Sequence, residues 1–453
     1  MDDVLQDLVD FGIGLTFDDL TPDVVSVVKQ RVIDTLGCAI GAIGAHTPSL
    51  AASVATTAAR PELAGRVIGG FETPSAGSAA LINGCLIRDL DFNDTYPGGH
   101  PSDGIGALVA VAAQTGATGR DLLAAVVVLY EIFIRFQMAA QLRERGWDNG
   151  FGIGIGVAAG LSRLMKLDST QTRQAIAITA TSNVPMRSTR AGMLSNWKNA
   201  ATAFATQSAV QSTQLAAAGM TGPEAPFTGR HGLVDLITGP IRLPPFPTAG
   251  GSYYASRAKL KYWPVVYNMQ ALVWATIDLR NRLNGTQLDS VEVDASWSAW
   301  HESGSEPAKW DPQTRETADH SLPYIFAWTL RHGSIGHEAF AGKAFLDPSY
   351  RAVMDKVHVA PDDDITAMFP ETIMIRLRAT DAAGGRHVVE HVNPVGHEAN
   401  PASDEEVNEK FRRLAVRHLG ADGVETALKT WWEVEPRLVS DAMDSLVART
   451  AAR

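Results

Sequence analysis

The sequence contains very little cysteine. Its 453 residues include two, Cys38 and Cys85. Two thiols cannot form a disulfide framework or a four-cysteine zinc site. They also cannot supply the four thiolates that an iron–sulfur cluster generally requires. The composition therefore argues against a disulfide-stabilised protein and against a cluster held by the chain's own thiolates.

Basic residues are outnumbered by acidic ones. Lys and Arg total 39 against 50 Asp and Glu, which gives a formal net charge of −11. Nucleic-acid binding depends largely on Lys and Arg side chains that neutralise phosphates. We therefore expect no nucleic-acid partner. The total charge does not exclude a small cationic pocket for an anionic substrate, because it says nothing about where the charges lie.

A long hydrophobic run is lacking as well. The longest notable run, 122–130, stops at Glu131 and is too short to span a bilayer. The N-terminal residues are acidic and show neither the basic region nor the apolar region of a signal peptide. We therefore expect a cytoplasmic protein with no membrane partner.

The remaining composition is that of a globular protein. Hydrophobic residues make up 45% and charged residues 20%, and the mean hydropathy is −0.03. The length suggests two or three domains. In the alanine-rich first half, Thr21 and Pro22 form a helix start ahead of an apolar stripe. Further helices are predicted over 118–141, 155–165, 170–180, 200–218 and 269–283.

The pattern changes after about residue 285. Apolar and polar residues alternate over 288–294, and in part over 372–378, as in half-buried strands. A turn-rich segment, 381–385, then leads to a further apolar stretch at 386–390, which predicts a hairpin. The segment 403–406 has the form of a capping box and predicts a terminal helix. The chain is thus expected to be mainly α, with an α+β segment between helical parts.

The densest cluster of reactive side chains occupies residues 88–103. Its Gly-Gly pair and two prolines predict a loop, where rigid scaffolds commonly present catalytic groups. Asp, Thr and His there can serve as base, hydroxyl donor and proton carrier. Two alternatives remain: a polar loop whose aspartates cap helices, or a metal site. The metal site would use Asp91, Asp94, His100 and Asp103.

Three other segments carry candidate groups. Arg187 and Arg190 precede Lys198, and such cations suit carboxylates, although they can equally be solvated. Ser195 and Lys198 also match the serine–lysine spacing of β-lactamases, without the other motifs of those enzymes. Lys259 and Lys261 lie beside aromatic residues and mark a hinge, a substrate contact or snorkelling surface lysines. His320 and Tyr324 stand at the head of an apolar helix, where a structural role is the alternative.

The glycines at 154 and 156 follow no strand, which favours helix packing over a dinucleotide loop.

Taken together and in order, these segments resemble the MmgE/PrpD family. The matching motifs, quoted by number, are 91–95, 100–103, 189–192, 197–198, 219–223, 261–264 and 315–324. The resemblance implies a large all-helical domain plus a smaller α+β lid domain. The helical domain would comprise 1–260 and 401–453, and the lid 261–400. It also implies a homodimer that uses no metal or organic cofactor and acts on a small polycarboxylate.

The resemblance assigns functional residues by motif match. The implied catalytic positions are Asp91, Thr95, His100, Lys198, Lys261 and Tyr324. Beside these motif matches, we predict four substrate-binding residues, Arg88, Arg187, Arg190 and His320. Asp91 or His100 would be the base and the other the acid, the cations would stabilise negative charge, and Thr95 and Tyr324 would orient the substrate. Because these positions come from both domains, the resemblance implies a cleft between them.

The resemblance also suggests an activity. Segments 222–226 and 306–315 are similar to the branch that contains 2-methylcitrate dehydratase. The expected function is dehydration of a small β-hydroxy di- or tricarboxylate. Decarboxylation or epimerisation of a related acid is one alternative, and a non-catalytic binding protein on the same scaffold is another. The chain departs from the branch at Asn149 and Asn268, where histidine is usual, and at Val395, where arginine is usual.

Overall fold

The computed structural model describes residues 2–140, 142–192 and 194–448, and these residues are mostly helical. They form two compact units. The first unit lies within 1–189, 199–259 and 403–453, and the second comprises the described part of 190–198 together with 260–402. The sequence-based boundaries had assigned 190–198 to the helical domain. The predicted fold class, a large helical part with a smaller α+β part, is confirmed.

Within the described residues, eight helices precede the segment 190–198 in the first unit, and a ninth begins in that segment and continues in the first unit from residue 199. They are α1 (Asp3–Gly14), α2 (Pro22–Gly41), α3 (His46–Ser53), α4 (Ala76–Asp89), α5 (Ile105–Thr115), α6 (Gly119–Ala140), α7 (Gly150–Leu164), α8 (Ser169–Ser182) and α9 (Trp197–Ala217). The predicted helix start is confirmed, since Thr21 caps α2 by accepting from the Val24 amide at 3.4 Å. The predicted helix 118–141 corresponds to α6, and its last residue lies outside the described residues.

Helix α6 forms the centre of the first unit. By length and composition alone it could cross a membrane, but 83% of its apolar window is buried within the protein, as in the core helix of a globular domain. It packs against α7, where a Cβ at Gly156 would lie 2.9 Å from the Leu129 carbonyl oxygen. The prediction that the glycines at 154 and 156 serve close helix packing is therefore confirmed.

The second unit contains a four-stranded sheet and short helices. In chain order the elements are α10 (Gln270–Leu283), β1 (Leu288–Ala295), α11 (Trp297–Ser303), α12 (Pro307–Trp310), α13 (Arg315–Ala318), α14 (Leu322–His332), α15 (Arg351–Met354), β2 (Val357–Pro361), α16 (Asp363–Met368), β3 (Met374–Asp381) and β4 (Arg386–Val392). The strand order is β2-β1-β3-β4, with β1 and β2 parallel and the other pairs antiparallel. Helix α10 packs on β3 and β4 and joins α14 in the apolar core. The predicted β3–β4 hairpin is confirmed.

Shorter helical turns connect these elements. The 3₁₀ turns are Phe17–Asp19, Pro61–Leu63, Pro101–Gly104, Arg187–Arg190, Tyr254–Arg257, Tyr267–Met269, His337–Ala339, Ala341–Leu346 and Pro348–Tyr350, and a π-helical turn spans Val234–Thr238.

The chain returns to the first unit with α17 (Asp404–Trp432) and α18 (Val439–Asp444). The predicted capping box is present, because Ser403 and Glu406 each accept from the other's backbone amide. Helix α17 packs along α2, where the Lys410 Nζ lies 2.6 Å from Asp34 Oδ1. The same ammonium donates to the Phe92 carbonyl oxygen at 2.6 Å. The C-terminal helix thus helps to hold the loop that follows α4.

Candidate active site

The loop after α4 is shaped by a tight turn. Tyr96 and Gly99 exchange two backbone hydrogen bonds of 2.8 Å, and Gly98 has a φ of 98°, a conformation that favours glycine. A Cβ at Gly99 would lie 2.3 Å from the Asn149 Nδ2, so a larger residue would collide there. Thr95 and Lys259 exchange backbone hydrogen bonds of 2.8 and 2.6 Å. The chain therefore folds back and brings residue 100 close to residue 88.

Arg88 gathers three acidic or basic partners around its buried guanidinium. Its Nη1 contacts Asp91 Oδ1, and its Nη2 lies 3.0 Å from His100 Nε2. Its Nε lies 3.8 Å from Asp103 Oδ2. Asp91 itself has a φ of 48°, which is uncommon for a non-glycine residue and turns its carboxylate back toward the end of α4. The structure thus brings together the predicted residues Arg88, Asp91 and His100.

The tautomer of His100 follows from its two hydrogen bonds. Its Nδ1 lies 2.6 Å from the Asp94 backbone oxygen, which can only accept. Nδ1 must therefore carry the hydrogen and donate it. Nε2 then accepts from Arg88 in the neutral ring. The imidazole is held in one orientation with Nε2 as its basic atom, the arrangement expected of an oriented general base.

Asp94 supports this arrangement from beneath the loop. Its carboxylate is 0% exposed and accepts from the Ser102 hydroxyl at 2.5 Å and from the Tyr130 hydroxyl at 2.6 Å. Burial raises the pKa of Asp94, although these hydrogen bonds and Arg31 counteract the shift. Asn93 completes the network by donating to Ser102 Oγ at 2.8 Å. The network fixes the backbone carbonyl that orients His100.

The structure agrees in part with the polar-loop interpretation, because the buried Asp94 accepts with Oδ1 from the Ser102 amide, at the start of the 3₁₀ turn Pro101–Gly104, at 3.2 Å. As a metal site, the set would need converging ligand atoms. Instead, Arg88 contacts Asp91 and His100, while both carboxylate oxygens of Asp94 accept from hydroxyl groups. We therefore do not propose metal ligation by these residues.

The predicted lysines are buried. Lys198 and Lys261, both in the second unit, are each 2% exposed, and Lys259 in the first is 6% exposed. The interpretation of these residues as solvated or snorkelling lysines is therefore wrong. Arg187 and Arg190 are half-buried, Arg187 in the first unit and Arg190 in the second.

Gln270, the first residue of α10, holds the segment that carries Lys261. Its Oε1 accepts from the amides of Tyr262 and Trp263 at 3.0 and 2.9 Å. Its Nε2 donates to the carbonyl oxygens of Trp263 and Val265 at 2.8 and 3.1 Å. Four hydrogen bonds from one side chain therefore fix the residues directly after Lys261. No sequence pattern indicates this role of Gln270, because it depends on how residues 262–265 wrap around the start of α10.

A second group of ionisable residues lies before α14. Asp319 is buried and its Oδ1 contacts Nδ1 of the half-buried His320. Lys309 on α12 is buried, and the charges of Asp319 and Lys198 act on its ammonium group. The structure thus places the predicted His320 and Lys198 in one neighbourhood with Lys309. Lys309 was missed, although it lies in the quoted segment 306–315.

Tyr324 lies in the core of the second unit. It is 0% exposed, and its hydroxyl donates to the Ala339 carbonyl oxygen. Four aromatic rings surround it, those of Trp328, Phe340, Phe345 and Tyr350. Burial raises the pKa of its phenol well above the ordinary value. This placement gives Tyr324 a structural role, and the site proposed below does not use it.

Thr95, and the two asparagines that replace the histidines of the related branch, make hydrogen bonds or packing contacts. Thr95 is half-buried and donates from Oγ1 to the Gly99 carbonyl oxygen at 3.2 Å. Asn149 packs under the turn at Gly99. Asn268 donates to Glu302 Oε2 at 3.0 Å, so an amide that pairs with a carboxylate stands where the related branch has histidine. Burial raises the pKa of Cys85 to about 12, which disfavours a reactive thiolate.

The fold and site define a two-part protein in which a helical unit and an α+β unit each carry buried ionisable side chains. Family models match both parts in order. The MmgE/PrpD N-terminal domain matches residues 6–243, and the MmgE/PrpD C-terminal domain matches residues 263–433. The chain belongs to the MmgE/PrpD family, which confirms the resemblance inferred from its motifs.

Characterised relatives include both dehydratases and decarboxylases. The 2-methylcitrate dehydratase of Cupriavidus necator is 25% identical over 460 residues, covering 92% of this chain and 90% of that protein. The cis-aconitate decarboxylase of Homo sapiens is 24% identical over 436 residues, covering 92% and 88%. A cis-aconitate decarboxylase-like protein of Aspergillus oryzae is 26% identical over 446 residues, covering 91% and 90%.

Proposed function

We propose that this chain is a lyase that removes water from a small β-hydroxy di- or tricarboxylate such as 2-methylcitrate, without a cofactor. The observation that carries the proposal is the oriented imidazole of His100, with Nδ1 donating to the Asp94 carbonyl oxygen and Nε2 beside Arg88. Family membership and dehydratase relatives that align along most of their length support it.

The proposed reaction is a β-elimination. In the proposed step Arg88 turns its N–H from His100 Nε2 to a substrate carboxylate, which frees the Nε2 lone pair. His100 Nε2 then takes the proton from the carbon next to that carboxylate, and the electron pair of the C–H bond forms the carbon–carbon double bond. The C–O bond at the neighbouring carbon breaks, and the hydroxyl leaves as water with the proton that the His100 imidazolium now carries, which returns His100 to its neutral form. Asp91 and His100 both contact Arg88. We assign the base to His100, because the hydrogen bond from Nδ1 to the Asp94 carbonyl oxygen fixes the ring with Nε2 as its basic atom.

The second requirement is stabilisation of negative charge. When the proton leaves, charge spreads onto the adjacent carboxylate, and preorganised cations lower the energy of that state. We assign this role to the buried Lys198 and Lys261, with Arg190 as a further contact. Removal of one such donor typically costs about 10²–10³ in turnover. The fixed backbone that Gln270 provides after Lys261 suits a preorganised site.

Decarboxylation is the second candidate. The human relative named cis-aconitate decarboxylase aligns over 92% of this chain at 24% identity, close to the values for the bacterial dehydratase. Loss of carbon dioxide would leave a similar carbanion next to a carboxylate, so the same cations would serve. The reactions differ in which bond to carbon breaks.

The two candidates are separated by incubation of the purified protein with a panel of di- and tricarboxylates, including 2-methylcitrate and cis-aconitate. Mass spectrometry of the products distinguishes loss of one water from loss of one carbon dioxide. The proposal predicts loss of water from at least one β-hydroxy acid. Release of carbon dioxide alone would favour the second candidate, and no turnover of any acid would contradict both.

A further inference from the structure

Lys309 is a buried lysine to which the proposed function assigns no role. It is 5% exposed and lies in the short helix α12. The backbone around it is fixed from several sides. Its own carbonyl oxygen accepts from the Ser321 hydroxyl, and the Trp310 carbonyl oxygen accepts from Arg351 Nη1 at 2.6 Å. The indole of Trp310 donates to the Gly304 carbonyl oxygen at 2.9 Å. Lys309 therefore extends from a rigid support.

The ammonium group of Lys309 has no hydrogen-bond partner within the part of the chain that the structure describes. The carboxylates of Asp319, Glu306 and Glu302 act on it favourably, and the ammonium of Lys198 acts on it unfavourably. Burial is the largest influence and lowers the pKa of Lys309. A largely buried ammonium without a protein acceptor is unfavourable, because it has lost most of its contact with water without gaining a protein hydrogen bond.

An anionic ligand would remove this unfavourable situation. A carboxylate beside Lys309 would supply the acceptor that the protein does not, and it would reduce the repulsion between Lys309 and Lys198. Two buried lysines that repel each other, Lys309 and Lys198, suit a ligand with more than one carboxylate. A surface lysine or a lysine in a structural ion pair would show neither feature.

We propose that Lys309 is a substrate-binding residue that contacts a carboxylate of the polycarboxylate together with Lys198. This inference rests on the proposed function, because it takes the ligand class from there. It adds a residue that the motif match did not assign and places it on α12, ahead of Asp319 and His320 in the chain.

The proposal has a consequence for pH dependence. Lys309 faces Asp319, Glu306 and Glu302 as well as Lys198, and its pKa in the free protein lies below that of an ordinary lysine. As pH rises through that pKa, the ammonium is lost and anion affinity falls. A bound carboxylate favours the ammonium and raises the pKa again. Binding at alkaline pH should therefore take up protons.

The test uses the full-length protein and tricarballylate, a tricarboxylate that has no hydroxyl group to eliminate. Calorimetry gives its affinity for wild type, Lys309→Met and the control Lys343→Met, in which an exposed lysine of the same unit is changed. We expect Lys309→Met to weaken binding by about 10- to 100-fold, as for loss of a charge-assisted hydrogen bond. KM for the turned-over substrate should rise more than kcat falls, and Lys343→Met should behave like wild type.

If Lys309 mainly stabilised the fold, Lys309→Met would melt below the wild-type temperature. Under the proposal the variant should melt at or above that temperature, because replacement of an unpaired buried charge by a side chain of similar volume is commonly neutral or stabilising. Proton uptake by wild type, measured in alkaline buffers of different ionisation enthalpy, gives a second readout that needs no variant. Equal affinity of Lys309→Met and wild type, or binding without proton uptake, would overturn the inference. Failure of the proposed function is distinct, since wild type would then turn over no polycarboxylate.

Discussion

The imidazole Nδ1 of His100 donates to the backbone oxygen of Asp94 at 2.6 Å. The side chain of the same Asp94 is held by Ser102 and Tyr130. One residue thus joins the buried network of the first unit to the proposed base. The orientation of His100 depends on this network as much as on the ring itself.

Replacement of His100 by asparagine tests its role. Asparagine can keep a donor near the position of Nδ1, but it has no atom in place of Nε2. We expect turnover to fall by about 10²–10⁴, the usual contribution of a general base, with little change in melting temperature. The control is His46→Asn at an exposed histidine of the first unit. Comparable turnover in both variants would exclude His100 as the base.

Asp94→Asn tests the buried carboxyl through pH-dependent stability. The ordinary pKa is 3.8, and burial raises it in the folded protein. As pH rises from the unfolded value through the folded value, the native state loses stability, because it must hold an ionised carboxylate away from water. Asparagine does not ionise. We therefore expect the variant to gain free energy of unfolding relative to wild type as pH rises from acidic to neutral.

Denaturant unfolding at several pH values provides the measurement for Asp94→Asn. The exposed Asp289→Asn is the control, and its difference from wild type should change little over the same range. A difference for Asp94→Asn that stays flat or reverses sign would contradict the assignment of burial as the dominant influence.

Gln270→Leu tests how the segment after Lys261 is held. The substitution removes four hydrogen bonds to buried or half-buried backbone groups. With about 1 kcal/mol or more for each of the four groups left unsatisfied, we expect a loss of at least about 4 kcal/mol in the free energy of unfolding. The ratio kcat/KM should also fall, because Lys261 loses its fixed position. Gln313→Leu at an exposed site is the control and should change neither quantity appreciably.

Tyr324→Phe separates the sequence-based role from the structural one. The substitution removes the hydroxyl that donates to Ala339 and keeps the ring among its aromatic neighbours. We expect the free energy of unfolding to fall by about 1 kcal/mol or somewhat more, with turnover near the wild-type value. A large fall in kcat at unchanged stability would instead support the role in substrate orientation that the motif match implied.

Local sequence signals predicted much of the fold. The Thr21 cap, the Ser403–Glu406 capping box and the turn at 381–385 each act within a few residues, so the sequence is sufficient to place them. Strand β2 was missed. It pairs in parallel with the distant β1, and Val357 is its only fully buried residue, so it shows no clear alternation.

The site was harder to predict because its contacts are non-local. Motif matches found Asp91 and His100, and Arg88 was a further candidate from the same segment. Their convergence depends on the turn at Gly98 and Gly99 and on the backbone pairing of Thr95 with Lys259. Burial of a lysine cannot be read from its neighbours in sequence, since long side chains also snorkel to the surface. The supporting roles of Gln270 and Tyr130 appear only once the chain is folded.

Deuterium incorporation during turnover tests most directly whether His100 removes a proton next to a carboxylate. Wild type and His100→Asn are incubated with 2-methylcitrate and related β-hydroxy acids in deuterium oxide, and products and recovered substrate are analysed by mass spectrometry. We expect wild type to form the dehydrated acid and to place deuterium next to a carboxylate through the reverse reaction. We also expect that His100→Asn does neither at a comparable rate. Equal incorporation by both proteins, or none by wild type with any acid, would contradict the account.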